Sequence, residues 1–325
     1  MYFFHQADWL TALLNGQAGV SDYHNALKTG YNVENLCWSD WLMALPHSHL
    51  LPHVIAPGEV IGNIQTDIAA HFGINPDCKI HAGTTDSIAA FIAADTGKSF
   101  QLYFKGQTRR QRANDTGSAT STTRNERGSQ HSFADEIGLE LGVGVTSLGT
   151  TLVLKQLCEH RIEAPEYGIY SHRYGDKWLV GGASNAGAGV LRNYFDDAQL
   201  ATLSAQINPL QDSPLDYYPL PKIGERFPIN DAQLLPRLTP RPSADVEFLH
   251  GILQGLARIE VAGYAKLAEL GAPAIQRIVT NGGGAKNLVW QQMRSRLMGV
   301  SVEASAYSEA AYGAALLASQ SQIII

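Results

Sequence analysis

The chain has 325 residues, and its 24 Lys and Arg against 30 Asp and Glu give a formal net charge of -6. This acidic balance argues against a nucleic-acid partner attracted by overall charge and favours a small-molecule partner. A hydrophobic fraction of 45% against 17% charged residues excludes disorder throughout the chain. The longest uncharged stretches, such as 141–154 and 178–191, are short and interrupted by small or polar residues, so we expect no membrane segment.

The first predicted element is a short helix over residues 5–15. Apolar residues recur there at helical spacing, and Gly16 closes the segment. Further along, His47, His49 and His53 form an H-x-H-x-x-x-H cluster, which is one pattern that can bind a metal. Two prolines lie in this segment and no carboxylate or cysteine stands nearby, so we expect no metal site there.

The cysteine spacing indicates the redox compartment. Three cysteines lie far apart with no CxxC pair: Cys37, Cys78 and Cys158. This spacing suggests neither a disulfide framework nor a zinc knuckle. A reducing compartment fits best, and we expect a cytoplasmic protein.

Residues 83–87, Gly-Thr-Thr-Asp-Ser, end a predicted short strand and open an Ala-rich helix over 88–94. Asp86 stands where a helix N-cap is expected, and a plain cap is the favoured interpretation when this residue is taken alone. The alternative is a general base, because a carboxylate at a strand end beside small hydroxyl residues can reach a substrate hydroxyl.

Periodicity is lost after this helix. Residues 98–133 carry seven Lys and Arg against two acidic residues and are rich in Gln, Ser, Thr, Asn and Gly. This composition is typical of a solvated, disordered insertion, which we place over 98–140. A basic arm that binds nucleic acid or a membrane is the alternative, but a basic run is more often a flexible loop.

A hairpin is predicted over 145–155, where two β-branched segments flank Gly149, Thr150 and Thr151. The N–H groups and hydroxyls of this turn are neutral donors that could hold a phosphate. Taken alone, an ordinary hairpin turn is the favoured interpretation.

The rest of the chain predicts strands and helices in alternation. In order, these are a strand from 178, a small-residue turn, a helix over 190–195, a long helix over 248–264 with one apolar face, a strand over 275–280, a helix over 286–298, a strand over 300–302 and a helix over 308–318. The last four of these elements are typical of a βαβ unit.

Gly282, Gly283 and Gly284 lie between the last long strand and its helix. Residues without Cβ let a ligand approach backbone N–H groups at a positive helix terminus, which indicates a nucleotide site. Tight packing of the strand against the helix is the alternative. The dinucleotide fingerprint G-x-G-x-x-G/A fails here, because Asn287 occupies its last position.

Three segments occur together in a specific order. They are residues 82–90, Ala-Gly-Thr-Thr-Asp-Ser-Ile-Ala-Ala, residues 146–151, Thr-Ser-Leu-Gly-Thr-Thr, and residues 281–293, Asn-Gly-Gly-Gly-Ala-Lys-Asn-Leu-Val-Trp-Gln-Gln-Met. With residues 297–302 and 309–315, they resemble the FGGY carbohydrate kinases. Within that family, residues 5–10, 21–28 and 180–185 are most similar to the xylulokinase-like D-ribulokinases of cyanobacteria and plants. The resemblance covers nearly the whole chain except residues 98–140.

The resemblance implies an actin-like, two-lobed α/β fold built on ribonuclease-H-like sheets, with sugar and ATP meeting between the lobes. Residues 1–97 would be the remainder of the N-terminal lobe on the sugar side, 98–140 the insertion, and 141–325 the C-terminal lobe on the ATP side. Family chains open with an Asp-x-Gly-Thr phosphate motif, and no such motif stands before Met1. The first lobe is therefore expected to be incomplete.

The resemblance also assigns roles to residues of the first two segments. Asp86 matches the catalytic base, which accepts the proton of the terminal hydroxyl of the ketose as that oxygen attacks the γ-phosphorus. Gly149, Thr150 and Thr151 match the second phosphate-binding hairpin.

The third segment matches the adenosine motif of the family. Gly282, Gly283 and Asn287 would border the base, and Trp290 would stack against it. A stacked ring is physically reasonable, although a tryptophan on this helix could equally be a core side chain.

The implied activity is ATP-dependent phosphorylation of a pentulose at its terminal hydroxyl, with D-ribulose favoured over D-xylulose and with ATP and Mg²⁺ as cofactors. Phosphoryl transfer mainly requires positioning and charge stabilisation, which such residues can supply. The alternative is a non-catalytic, nucleotide-binding remnant of such a kinase that lacks the first phosphate motif. A third hypothesis is an NAD-dependent oxidoreductase that binds its cofactor at residues 282–284. An origin in a plant or alga would imply a plastid rather than the cytoplasm.

Overall fold

The computed structural model describes residues 1–95, 141–307 and 309–320, so the predicted insertion over 98–140 lies outside the described residues. The chain divides into two compact units. Unit 1 comprises Met1–Ala93 and Ser308–Ile325, and unit 2 comprises Ala94–Tyr307. No helix in the described part combines the length and the apolar character that crossing a membrane requires.

Unit 1 consists of short helices and strands. Its strands are β1 (Val20–Asp22), β2 (Tyr31–Asn32), β3 (Cys37–Trp38), β4 (His53–Ile55), β5 (Val60–Asn63) and β6 (Lys79–His81). Its helices are α1 (Gln6–Asn15), α2 (Tyr23–Ala26), α3 (Asp40–Met43), α4 (Thr66–Phe72) and α5 (Asp86–Asp95), which begins in this unit, together with a C-terminal helix over Ala310–Gln320. β1 pairs in parallel with β4, whereas β2 with β3 and β5 with β6 pair antiparallel. The predicted helix over 5–15 is confirmed as α1, which ends at Gly16 with φ 75.

The C-terminal helix of the chain, Ala310–Gln320, groups with unit 1. This helix packs closely on α5, because a Cβ at Gly313 would lie only 1.8 Å from the carbonyl oxygen of Ala89. A residue without a side chain is what permits this approach. The C-terminal helix therefore supports the helix that begins at Asp86.

Unit 2 is built on a mixed six-stranded sheet. Its strands are β7 (Val143–Leu148), β8 (Leu152–Cys158), β9 (Tyr170–Tyr174), β10 (Lys177–Ser184), β11 (Arg277–Asn281) and β12 (Ser301–Ala304). Its helices are α6 (Asp197–Ser204), α7 (Asp245–Glu269) and α8 (Leu288–Met298). The strand order is β12-β11-β7-β8-β10-β9, in which β12, β11 and β7 run parallel and the other pairs antiparallel. We number the C-terminal helix of unit 1 α9.

Apolar side chains of α7 and of the sheet form the core of unit 2. Phe248, Ile252 and Leu256 lie on the buried face of α7, and Leu154 of β8 is completely buried in the same cluster. Each such side chain contributes about 1.5–3 kcal/mol when it is fully removed from water. The core therefore holds the central strands β7 and β8 against α7.

The structure confirms most of the elements predicted for this unit. β7 and β8 form the predicted hairpin over 145–155, and α7 contains the predicted apolar helix over 248–264. The segment predicted as a helix over 190–195 is instead a 3-10 helix, Ala188–Asn193. This segment begins among glycines, which favour short, tight turns over a regular α-helix.

Candidate functional site

Two neighbouring parallel strands of unit 2, β7 and β11, end at the same edge of the sheet, and a glycine turn follows each of them. In their register, Asn281 of β11 faces Ser147 of β7. Residues 149–151 follow β7, and residues 282–284 follow β11. Ligands of open α/β sheets bind outside the carboxyl ends of such strands. The fold therefore brings the predicted phosphate hairpin and the predicted adenosine turn together.

The turn after β11 lies directly against the end of β7. A Cβ at Gly282 would lie 2.7 Å from the carbonyl oxygen of Leu148, and one at Gly284 would lie 2.8 Å from the Leu148 side chain. Gly282 has φ 85, in the left-handed region that favours glycine. At Gly283, by contrast, an added Cβ would meet none of the described residues within 4 Å. The exposed backbone at Gly283 is therefore open to a ligand.

A third glycine turn, residues 187–189, packs on the hairpin turn. A Cβ at Gly187 would lie 2.5 Å from the carbonyl oxygen of Thr150, and the N–H of Leu152 donates to the carbonyl of Ala186 at 2.7 Å. The sequence indicated a small-residue turn here but assigned it no function. The sequence signal that could have identified this turn is the run Gly187-Ala188-Gly189, which begins three residues after β10 ends at Ser184. We define the turn cluster as residues 149–151, 187–189 and 282–284.

A buried carboxylate holds the segment before this third turn. Glu225 is 2% exposed, and its carboxylate accepts hydrogen bonds from the N–H of Asn185 at 2.7 Å and from the hydroxyl of Ser184 at 2.5 Å. The hydroxyl of Tyr218 also donates to it at 3.1 Å, and burial, followed by the charge of Glu225, raises the pKa of that phenol. Tyr218 therefore stays neutral and continues to donate. Glu225 lies 40 residues after Asn185, so no local pattern revealed this contact.

Asn287 and Trp290 lie at the start of α8 and are engaged within the protein. The Oδ1 of Asn287 accepts the N–H of Trp290 at 3.0 Å and so caps the helix, while its Nδ2 donates to the hydroxyl of Ser204 at 2.8 Å. Trp290 is 1% exposed and belongs to the core of unit 2. Of its two sequence-based interpretations, the structure matches the core side chain. The stacking role is therefore corrected, because a ring buried to this extent presents no face to a base.

Asp86 is an exposed residue at the start of α5. Thr85 supplies the cap instead: its carbonyl oxygen accepts the N–H of Ala89 at 2.9 Å, and its hydroxyl accepts the N–H of Ile88 at 3.4 Å. The plain N-cap interpretation of Asp86 is therefore wrong. The Asp86 carboxylate accepts the N–H of its neighbour Ser87 at 2.7 Å and stays at the surface of unit 1.

The loop before Asp86 rests on a buried polar cluster. The Nδ1 of His24 lies 2.7 Å from the hydroxyl oxygen of Thr84, and His24 is 2% exposed. The carboxylate of Asp22 accepts the backbone N–H of His24 at 2.9 Å and a side-chain N–H of Asn25 at 2.6 Å. These bonds tie the Asp86 loop to the short helix α2.

The pKa of Asp22 gives unit 1 a pH dependence. Burial raises this pKa from 3.8 to about 6, and the hydrogen bonds from Asn25 and His24 offset only part of that effect. Between about pH 4 and 6 the folded state therefore binds more protons than the unfolded state, and the stability of unit 1 falls as the pH rises through this window.

At each pH, the free energy of unfolding of Asp22→Asn is compared with that of the wild type. We expect this difference to shift by about 2 kcal/mol in favour of the variant between pH 4.5 and pH 8. The neutral amide does not carry the cost of a buried charge. Urea titrations followed by hydrogen exchange of residues 20–26 measure the difference. Asp40→Asn, an exposed carboxyl on α3, is the control and should show no such gain. An Asp22→Asn effect that is the same at both pH values would contradict the prediction.

The donor groups of the turn cluster suit anions. In residues 1–95, 141–307 and 309–320, no three or more His, Cys, Asp or Glu side chains are grouped so that they could hold a metal. The turn cluster offers backbone N–H groups and the hydroxyls of Thr150 and Thr151, which match phosphate oxygens. These residues fit the phosphates of a nucleotide.

Two family models match most of the chain. The model for the N-terminal domain of the FGGY family of carbohydrate kinases matches residues 2–93, and the model for the C-terminal domain matches residues 144–321. The chain belongs to the FGGY family. Asp86 lies within the match to the FGGY N-terminal domain, and the turn cluster lies within the match to the C-terminal domain.

Solved structures of sugar kinases share this fold. A gluconate kinase from Lactobacillus acidophilus has a TM-score of 0.74 at 18% identity and is matched over 100% of this chain and 60% of its own. A xylulose kinase from the same organism has a TM-score of 0.73 at 17% identity and is matched over 98% of this chain and 59% of its own. A glycerol kinase from Plasmodium falciparum, solved with ADP, has a TM-score of 0.71 at 15% identity and is matched over 98% of this chain and 57% of its own. The predicted α/β sugar-kinase fold is confirmed, and the chain spans less than two thirds of the length of these relatives.

Proposed function

We propose that the chain is an ATP-dependent kinase that transfers the γ-phosphoryl group of ATP to the terminal hydroxyl of a pentulose, D-ribulose in preference to D-xylulose. The observation that carries this proposal is the contact of the glycine turn after β11 with the end of β7, next to the hairpin turn 149–151, in a member of the FGGY family. Unit 2 supplies the nucleotide-binding groups, and unit 1 supplies the catalytic base.

The turn cluster binds the nucleotide in this proposal. The hydroxyls of Thr150 and Thr151 and the N–H groups of their turn contact phosphate oxygens, because neutral donors fixed in a turn stabilise such charge. The open backbone at Gly283 lies against the nucleotide. Asn287 contributes the second N–H of its amide, since only one is needed for the bond to Ser204.

Mg²⁺ would be held here through the phosphate oxygens of ATP, because this ion keeps several waters and is commonly bound by phosphates with one or two carboxylates rather than by a protein cage. When bound, it would supply positive charge that offsets the negative charge of the phosphates.

Asp86 acts as the general base. Its carboxylate takes the proton of the sugar hydroxyl as the hydroxyl oxygen forms a bond to the γ-phosphorus. The bond from that phosphorus to the bridging oxygen breaks, and ADP leaves. Exposure of the carboxylate and capping of α5 by Thr85 both leave Asp86 available for this role.

The choice of sugar is supported by sequence resemblance. Residues 21–28 and 180–185 are similar to the xylulokinase-like D-ribulokinases, whereas the solved relatives are named for xylulose, gluconate and glycerol. The substrate panel of the test therefore has to include all of these compounds.

A coupled ADP-release assay on the 325-residue chain tests the proposal. The panel is D-ribulose, D-xylulose, L-ribulose, gluconate and glycerol, each with ATP and Mg²⁺. We expect the highest kcat/KM with D-ribulose and the next with D-xylulose. A higher kcat/KM for gluconate or glycerol than for either pentulose would overturn the assignment of the sugar.

A second candidate is a nucleotide-binding protein without transfer activity. It requires only the turn cluster, all of whose residues belong to unit 2. Calorimetry with ATP and with ADP distinguishes the two candidates. Nucleotide binding without ADP release on addition of any sugar would support the second candidate and exclude the first.

A further inference from the structure

A buried ion pair lies beneath the turn cluster. Glu260 of α7 and Arg294 of α8 are each 1% exposed, and the guanidinium donates from Nε and Nη2 to the two carboxylate oxygens, both at 2.6 Å. The pair is therefore bidentate and shielded from water. Such pairs contribute little net stability, because apolar residues of similar volume often replace them without loss. Their geometry, however, is strongly directional.

The ion pair connects the two strands that carry the glycine turns. The hydroxyl of Thr146 on β7 donates to Glu260 at 2.6 Å, and Nη1 of Arg294 donates to the hydroxyl of Thr280 on β11 at 2.9 Å. Thr146 and Thr280 face each other in the register of the two strands. These contacts lie two residues before Gly282 and three before Gly149.

A tyrosine completes the arrangement on β7. The hydroxyl of Tyr264 lies 3.0 Å from that of Thr146, and a Cβ at Gly144 would lie only 2.6 Å from the Tyr264 oxygen. Burial, followed by the charge of Glu260, raises the pKa of this phenol, so Tyr264 stays neutral. We call Thr146, Glu260, Tyr264, Thr280 and Arg294 the strand-end network.

We propose that the strand-end network positions the nucleotide site: it fixes the spacing and register of the ends of β7 and β11, so that the N–H groups of the two glycine turns face the same nucleotide. This inference rests on the proposed function, because it takes the turn cluster to be the nucleotide site. The five side chains touch no ligand themselves. They are positioning residues, which act through the strands they join.

Threonine variants test the proposal with little change in shape. Thr146→Val removes the hydroxyl that joins Glu260 to Tyr264, whereas Thr146→Ser keeps it. We expect the Kd for ADP, measured by calorimetry, to rise at least about tenfold in Thr146→Val and to remain near the wild-type value in Thr146→Ser. In steady-state kinetics the KM for ATP should rise while the KM for the sugar stays unchanged.

Glu260→Gln is the stronger perturbation, because it leaves Arg294 without its charge partner. Its matched control is Leu253→Ala, a completely buried residue of the same helix that is outside the network. Hydrogen exchange of residues 148–152 and 281–287 should become faster in Glu260→Gln than in Leu253→Ala. The two variants are compared under conditions in which each lies equally far below its own Tm. This measurement needs no nucleotide.

The failures of the two proposals are distinguishable. A wild-type chain that binds no ADP would overturn the proposed function and the positioning role with it. The positioning role alone would be overturned by a different result, in which the wild type binds ADP. In that result, the Kd for ADP and the hydrogen exchange of Thr146→Val and Glu260→Gln change no more than in Leu253→Ala at the same loss of stability.

Discussion

Replacing Asp86 with asparagine is expected to lower the turnover number with D-ribulose by about 10²- to 10⁴-fold, which is the range that a positioned general base contributes. The amide has the shape of the carboxylate but cannot take up the hydroxyl proton. Because Asp86 is exposed and Thr85 caps α5, stability should change by less than about 0.5 kcal/mol. ADP-release kinetics measures the rate, and calorimetry should show unchanged binding of ADP.

Asp67→Asn is the matched control for this substitution. Asp67 is an exposed aspartate in the first turn of α4 in the same unit, and the change removes the same charge. We expect wild-type turnover from it. An Asp86→Asn enzyme that keeps a rate within about threefold of the wild type would refute the role of Asp86 as the base, even if the chain phosphorylates sugars.

Local patterns predicted the elements that carry the site. Alternating β-branched residues around residues 149–151 predicted the hairpin of β7 and β8, and the apolar face over 248–264 predicted α7. The glycine turn over 282–284 was predicted between a strand and a helix, where the structure places it. Short-range periodicity and turn chemistry were sufficient for these elements, because each of them is formed from residues close in sequence.

Details that depend on a single hydrogen bond were less predictable. Asp86 and Thr85 are both good N-cap residues, and only the backbone conformation decides that Thr85 takes the position. Trp290 occupies the first turn of α8, where its sequence position does not reveal which face of the helix it occupies. Its burial follows from the packing of α8 on α7, which is a tertiary contact.

Contacts between distant residues were not predictable. Glu260 bonds to Thr146 across 114 residues, and Glu225 bonds to Asn185 across 40. A single sequence carries no sign of such pairing, since a buried carboxylate on a helix has the same local pattern as an exposed one. The residues that arrange the candidate site are therefore found only in the structure, whereas several of those proposed to contact ligand were found in the sequence.

Gly282→Ala is expected to destabilise unit 2 by about 2–4 kcal/mol. Gly282 has φ 85 and ψ 176, a conformation that residues with a Cβ rarely adopt. The new methyl group would also lie 2.7 Å from the carbonyl oxygen of Leu148, so β7 and the turn would have to separate. Urea unfolding measures the loss of stability, and binding of ADP should weaken with it because the turn after β11 no longer lies against the end of β7.

Gly283→Ala separates this packing effect from contact with the ligand. Its methyl group would meet none of the described residues within 4 Å, so stability should stay within about 0.5–1 kcal/mol of the wild type. If the nucleotide lies against this backbone, the same methyl group blocks its approach, and the Kd for ADP should rise about tenfold or more. Wild-type affinity in Gly283→Ala would show that the nucleotide does not approach the turn at this residue, and equal stability of the two variants would contradict the strain assigned to Gly282.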